Sequence, residues 1–102
     1  MNSVNLVGRL ARDPELRFIA TTGKSMCRFT IAINRYGKKD EADFISCVAF
    51  GKIAENISKY LTKGKEIAIV GSLRTGSFED KEGNKRYTTD VFVDSFFFVG
   101  SK

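Results

Sequence analysis

Phe44 and Phe50 stand six residues apart in DFISCVAFGK, and Phe78 follows in the basic stretch LRTGSFEDKEGNKRYTTDV. On a strand, side chains at even spacing share a face, so Phe44, Ser46, Val48 and Phe50 are expected on one side. Ile45, Cys47 and Ala49 then take the other side, toward the core. Large rings on a non-core face, among lysines and arginines, make a stacking platform for unpaired bases. Strand phenylalanines also pack cores, and strand pattern alone favours that plainer reading. Charge and order along the chain shift the balance toward single-stranded nucleic acid.

The chain has 102 residues, enough for one domain with a modest core. It carries 17 Lys and Arg against 12 Asp and Glu, a formal charge of +5. That excess favours polyanions, nucleic acid first and anionic membrane surface second. There is no histidine and there are only two cysteines. The usual zinc sites and the Ser-His-Asp and Cys-His nucleophilic arrangements are therefore excluded, and no cofactor or enzymatic activity is expected. Cys27 and Cys47 lie in apolar, strand-like segments and read as reduced, buried thiols. No apolar run approaches the length that spans a bilayer, and the N-terminus has no signal-peptide pattern, so a cytosolic protein away from membranes is expected. Gly23-Lys24-Ser25 looks like the end of a phosphate loop, but Phe18 occupies the position of the loop's first glycine, and the segment reads as a turn. Glu79, Asp80 and Glu82 cluster among lysines and read as a solvated hairpin tip rather than a metal site.

These residues must be positioned by five strands and one helix. The first strand runs from about Val4 to Ala11, and Arg17 to Ala20 continue it after a bend at Asp13-Pro14. The second covers Ser25 to Arg35, with Cys27, Phe29, Ile31 and Ile33 alternating against a wet face. A polar loop, 36–43, leads to the third strand, Phe44 to Gly51. From Lys52 to Thr62 the spacing of Ile53, Ile57, Tyr60 and Leu61 predicts a helix, with Gly64 as its cap. The fourth strand runs from Glu66 to Leu73, a hairpin turns at 79–84 around Gly83, and the fifth strand spans Tyr87 to Val99. In the Phe96-Phe97-Phe98 triplet, Phe97 is expected to join Val91 and Val93 in the core. Phe96 and Phe98 are then exposed unless a second subunit covers them. This element order is that of an all-β OB-fold, a five-stranded Greek-key barrel with one α-helix between strands three and four, occupying the whole chain.

VNLVGRLARDPELR, FGKIAENISKYLTKG and GSLRTGSFEDKEGNKRYTTDV, in that order and without large gaps, resemble the bacterial single-stranded DNA-binding protein family, phage-encoded members included. The resemblance runs from about Val4 to Val99. It implies a bacterial cytoplasmic or nucleoid protein that assembles as a homotetramer and coats single-stranded DNA, without reading its sequence, during replication, recombination and repair. It also implies that Phe44, Phe50 and Phe78 fall on base-stacking positions, with Tyr36 near a fourth. Phosphate contacts are assigned to Arg28 and Arg35 on the wet face of the second strand, Lys52 beside Phe50, and Arg74 and Arg86 on the hairpin. Lys38 and Lys39 are weaker candidates. The sequence departs from the family in having no tryptophan and in ending at FFFVGSK, without the flexible, acidic-tipped tail through which many members recruit repair enzymes. Such recruitment is not expected of this chain. The nearest alternative is a dimeric OB-fold accessory of the primosome type.

Overall fold

Six strands and one helix form in the computed structural model, which describes residues 1–37 and 40–99. They are β1 (Val4–Leu10), β2 (Glu15–Phe18), β3 (Ser25–Asn34), β4 (Ala42–Phe50), α1 (Gly51–Tyr60), β5 (Glu66–Glu79) and β6 (Lys85–Phe98). The sheet order is β1-β5-β6-β4-β3-β2, and a further β1–β3 pairing through Arg9↔Ala32 and Leu10↔Ile31 closes a ring. One seam is parallel, β4 against β6 at Cys47↔Val91 and Val48↔Phe92. With the helix between β4 and β5, this is the expected OB-fold. The residues from Glu15 to Phe18 do not prolong the first strand. They pair with β3 from Arg28 back to Ser25 and form a short edge strand of their own.

The core gathers one face of β1, β3, β4, β5 and β6: Leu10, Cys27, Phe29, Ile31, Cys47, Ala49, Ile67, Ile69, Val91 and Val93. Ala54, Ile57 and Leu61 of the helical segment join them, while Tyr60 stays outside against the edge of Phe98. The helix ends where Leu61 turns extended, its N–H donating to the Ile57 carbonyl. Gly64 is thus not the helix cap. Its N–H donates to the Leu10 carbonyl at 2.9 Å and fastens the following turn to β1. Gly83, at φ +83°, takes the left-handed position expected in the β5–β6 hairpin.

Two departures from simple alternation follow from packing. Val48 points to the outer face yet is 2% exposed, because the sheet continues on both sides of it through β3 and β6. In β6 the pairing shifts from Gly71↔Val93 to Val70↔Ser95, leaving Asp94 as an extra residue. That bulge changes the phase of the strand, as bulges do. Phe96 therefore packs against the core, and Phe97 is exposed with Phe98, contrary to the expectation from uninterrupted alternation.

Closure depends on two glycines. A Cβ at Gly8 would overlap the Ile31 side chain and the Ala32 carbonyl oxygen, where β1 crosses to β3. A Cβ at Gly71 would overlap the Phe92 carbonyl at the bulge. Gly8→Ala and Gly71→Ala should each destabilise the fold by about 2–3 kcal/mol or more, since the obstacles are backbone and branched side chain. Gly76→Ala, whose Cβ would meet only the Thr88 hydroxyl at 3.1 Å, should shift the urea midpoint far less.

The buried thiols allow a second test. Burial pushes Cys27 up to about 11, with Glu15 adding to it, and pushes Cys47 up to about 12, with Asp90 adding to it. The unfolded chain releases both protons near pH 9, before the native state does. Stability from these thiols is therefore complete below that pH and is lost as pH rises toward 11 and 12. In alkaline urea titrations Cys47→Val should lose less stability than the parent protein, and neither parent thiol should react with a disulfide reagent at neutral pH until the chain unfolds.

Candidate nucleic-acid interface

The cross-strand register builds one outer face from β3, β4, β6 and β5. Paired residues share a face, so Ala32 with Phe44, Thr30 with Ser46, Arg28 with Val48, and Met26 with Phe50 all point outward. The parallel seam adds Phe92 beside Val48. Across β5 and β6 the same face carries Ser72 with Phe92, Arg74 with Asp90, Gly76 with Thr88, and Phe78 with Arg86. The barrel ends near Leu73 and Val91, and the paired strands run on as an arm whose β5 residues, Leu73 to Glu79, are all exposed. Six registered pairs, Arg74↔Asp90 to Glu79↔Lys85, hold the arm in shape beyond the core.

At the middle of this face the rings of Phe50 and Phe92 meet, tilted at 45° with centroids 5.7 Å apart. Arg74 covers Phe92 with its guanidinium carbon 4.9 Å from the ring centre, and the Lys24 ammonium lies 5.9 Å from that of Phe50. In this row of cation, ring, ring and cation the two rings are half-buried and the two cations exposed. Phe44 at one end of β4 and Phe78 on the arm are 68% and 54% exposed, open to stack on a base. Tyr36, in the turn after β3, is fully exposed.

The predicted cations separate into groups. Arg28, on the face as expected, lies 3.6 Å from Asp90. Arg74 sits on Phe92. Arg86 donates from Nε to Asp80 at 2.9 Å, and Arg35 meets Asp43 at 2.9 Å and Glu41 at 3.6 Å. Arg35 stands one residue past the end of β3 rather than on its wet face. Lys52 is exposed in the first turn of α1, off the sheet. Lys38 and Lys39 lie outside the described residues.

Within the acidic cluster, Asp80 serves the hairpin. Its carboxylate accepts the Asn84 and Glu82 N–H groups at 2.9 and 3.0 Å, besides the Arg86 guanidinium. The Asn84 N–H, then Arg86 and the Glu82 N–H, hold it below the ordinary carboxylate range. An acid engaged on three sides is a turn residue, more enclosed than the solvated tip the sequence suggested.

Sequence reasoning missed Phe92 and Lys24. The signal for Phe92 was present, since a residue between the core valines Val91 and Val93 must point outward. Lys24 had no such signal: only the β3–β4 register, which sets Met26 against Phe50, brings the start of β3 beside that ring.

Comparison with known proteins agrees with this geometry. The Single-strand binding protein family matches residues 1–99. A single-stranded DNA-binding protein of Clostridium perfringens is 59% identical over 99% of this chain and 67% of its own length. A single-stranded DNA-binding protein 1 of Staphylococcus aureus is 45% identical over all of this chain and 67% of its own. A protein of the same name from Clostridium acetobutylicum is 38% identical over all of this chain and 96% of its own length. With a match over 99 residues, an OB barrel and an aromatic, arginine-lined outer face together, the chain belongs to the single-strand binding protein family.

Proposed function

We propose that this protein binds single-stranded DNA without sequence preference, through the outer face of β3, β4, β6 and β5. It coats and protects strands exposed in replication, recombination and repair, in the bacterial cytoplasm, as a binding protein and not an enzyme. The observation that carries the reading is the alternation of rings and arginines on one continuous face, with Phe44 and Phe78 exposed at its two ends. Every base offers a π-face, so such a platform is indifferent to sequence. Phe44, Phe50, Phe78 and Tyr36 are assigned to stacking, with Phe92 added. Arg28, Arg35, Lys52, Arg74 and Arg86 are assigned to phosphates.

A homotetramer of this single domain is the assembly we favour over the primosome-type dimer. Supporting it, Val7, Ala68 and Phe97 are cross-strand neighbours on the outer face of β1, β5 and β6, away from the ring-and-arginine face. Val7 is 52% and Phe97 56% exposed, so three strands present apolar groups to water in one row. A second copy that covers this row removes that exposure and holds several DNA sites on one strand.

Two experiments test the reading. In anisotropy titrations labelled oligo-dT should bind far more tightly than an equal-length duplex and should keep part of its affinity at high salt. Phe44→Ala and Phe78→Ala should each weaken oligo-dT binding roughly tenfold, from about 1–3 kcal/mol per stacked base, with the thermal midpoint unmoved. Equal affinities for both DNAs that vanish in salt would refute the stacking platform. Native mass spectrometry should find a tetramer, and Val7→Arg should give smaller species; a parent protein that runs as monomer or dimer would refute the proposed assembly.

A further inference from the structure

Three of the five cations assigned to phosphate already hold a carboxylate: Arg28 with Asp90, Arg86 with Asp80, and Arg35 with Asp43 and Glu41. Asp80 belongs to the hairpin turn, and Asp43 and Glu41 lie at the strand end. Asp90 differs, because it stands on the platform itself. It is the cross-strand partner of Arg74 and lies two residues from Phe92 on the same side of β6. Arg28 is the cross-strand partner of Val48 and reaches Asp90 from β3, so the pair spans β4. The Asp90 side chain is only 16% exposed, while that of Arg28 is 52% exposed. A half-exposed pair of this kind contributes little to stability. Yet it sets a negative charge between two arginines on a face that binds a polyanion.

We infer that Asp90 is a selectivity determinant of this face. By holding Arg28 and offsetting Arg74, it keeps the platform too weakly cationic to retain DNA on phosphate contacts alone. Retention then requires stacked bases. The inference rests on the reading of this face as a single-strand platform. A single strand supplies both phosphates and free base faces, whereas a duplex keeps its base faces inside its own stack and supplies mainly phosphates. Weakening the phosphate contacts therefore penalises the duplex in larger proportion.

Anisotropy titrations of labelled oligo-dT and an equal-length duplex, across a salt series, test this with the parent protein, Asp90→Asn and Glu66→Gln. Asparagine keeps the size of the side chain, and thermal unfolding confirms the fold; Asp90→Ser gives the same comparison if the amide is not tolerated. Glu66 begins β5 opposite Arg9, at the other end of the strand from Arg74, and its substitution makes the same change in net charge. Asp90→Asn should raise duplex affinity roughly tenfold and oligo-dT affinity roughly two- to threefold, narrowing the preference. The oligo-dT salt slope should steepen by about 0.7, the contribution of one further phosphate neutralised by the freed Arg28. Glu66→Gln should change neither the preference nor the slope. An unchanged preference in Asp90→Asn, a change matched by Glu66→Gln, or weaker oligo-dT binding by a folded Asp90→Asn would each overturn the inference. A parent protein with no preference for the single strand would instead overturn the reading of the face, so the two failures are distinguishable.

Discussion

The parallel contact of β4 with β6 is the constraint on which the binding face depends. It consists of two registered pairs, Cys47↔Val91 and Val48↔Phe92. Those pairs alternate between the barrel's two sides: Cys47 and Val91 are buried inside, while Val48 and Phe92 face out. Without this seam the ring would open, with β4 and β6 at opposite ends of a sheet joined through β3, β1 and β5. Phe50 and Phe92 would then have no reason to meet, and Arg28 could not reach Asp90. The seam also explains why Val48 is buried on an otherwise wet face, with covered strands to either side of it.

The seam in turn relies on curvature elsewhere. A ring of five strands closes only if the sheet bends sharply, and here two of the closest strand approaches fall at residues without a side chain. Gly8 lets β1 lie almost on Ile31, and Gly71 lets β5 pass against the Phe92 carbonyl beside the extra residue Asp94. The same bulge turns Phe97 outward beside Ala68 and Val7. A single inserted residue thus serves closure on one side of the barrel and creates an apolar row on another. Both results come from a change of phase in a strand whose side-chain period is two.

Much of this was legible in the sequence, because period-two alternation and turn residues report directly on which face is buried. Cys27, Phe29, Ile31, Cys47 and Ala49 fell where alternation put them, as did the outward Phe44. The misses arose where a third strand or an inserted residue intervened. Alternation within β4 cannot report that β6 lies alongside and buries Val48. Nor does the run Phe96-Phe97-Phe98 announce the bulge two residues earlier that reverses its phase. The ion pairs were equally hidden: Arg28 and Asp90 are 62 positions apart, and only the β4–β6 seam makes them neighbours. Sequence reasoning therefore found most of the rings and cations, Phe92 and Lys24 excepted, but not the carboxylates that pair with the arginines.

The rings themselves divide by how much water they still touch. Phe50 and Phe92 are half-buried against each other and capped by Lys24 and Arg74, so much of their apolar surface is already covered in the free protein. Phe44, Phe78 and Tyr36 keep their ring faces in water. Burying exposed apolar surface is favourable at about 25 cal/mol per Å², and a base laid on Phe44 or Phe78 covers a ring face that is still in water. A base laid on the central pair must first share the ring with a cation. The central rings are therefore the covered part of the face, and on the proposed reading the exposed rings at its ends offer a base the most uncovered apolar surface. That division suits the proposed function, in which a flexible strand is held without being read and an exposed ring can take any base.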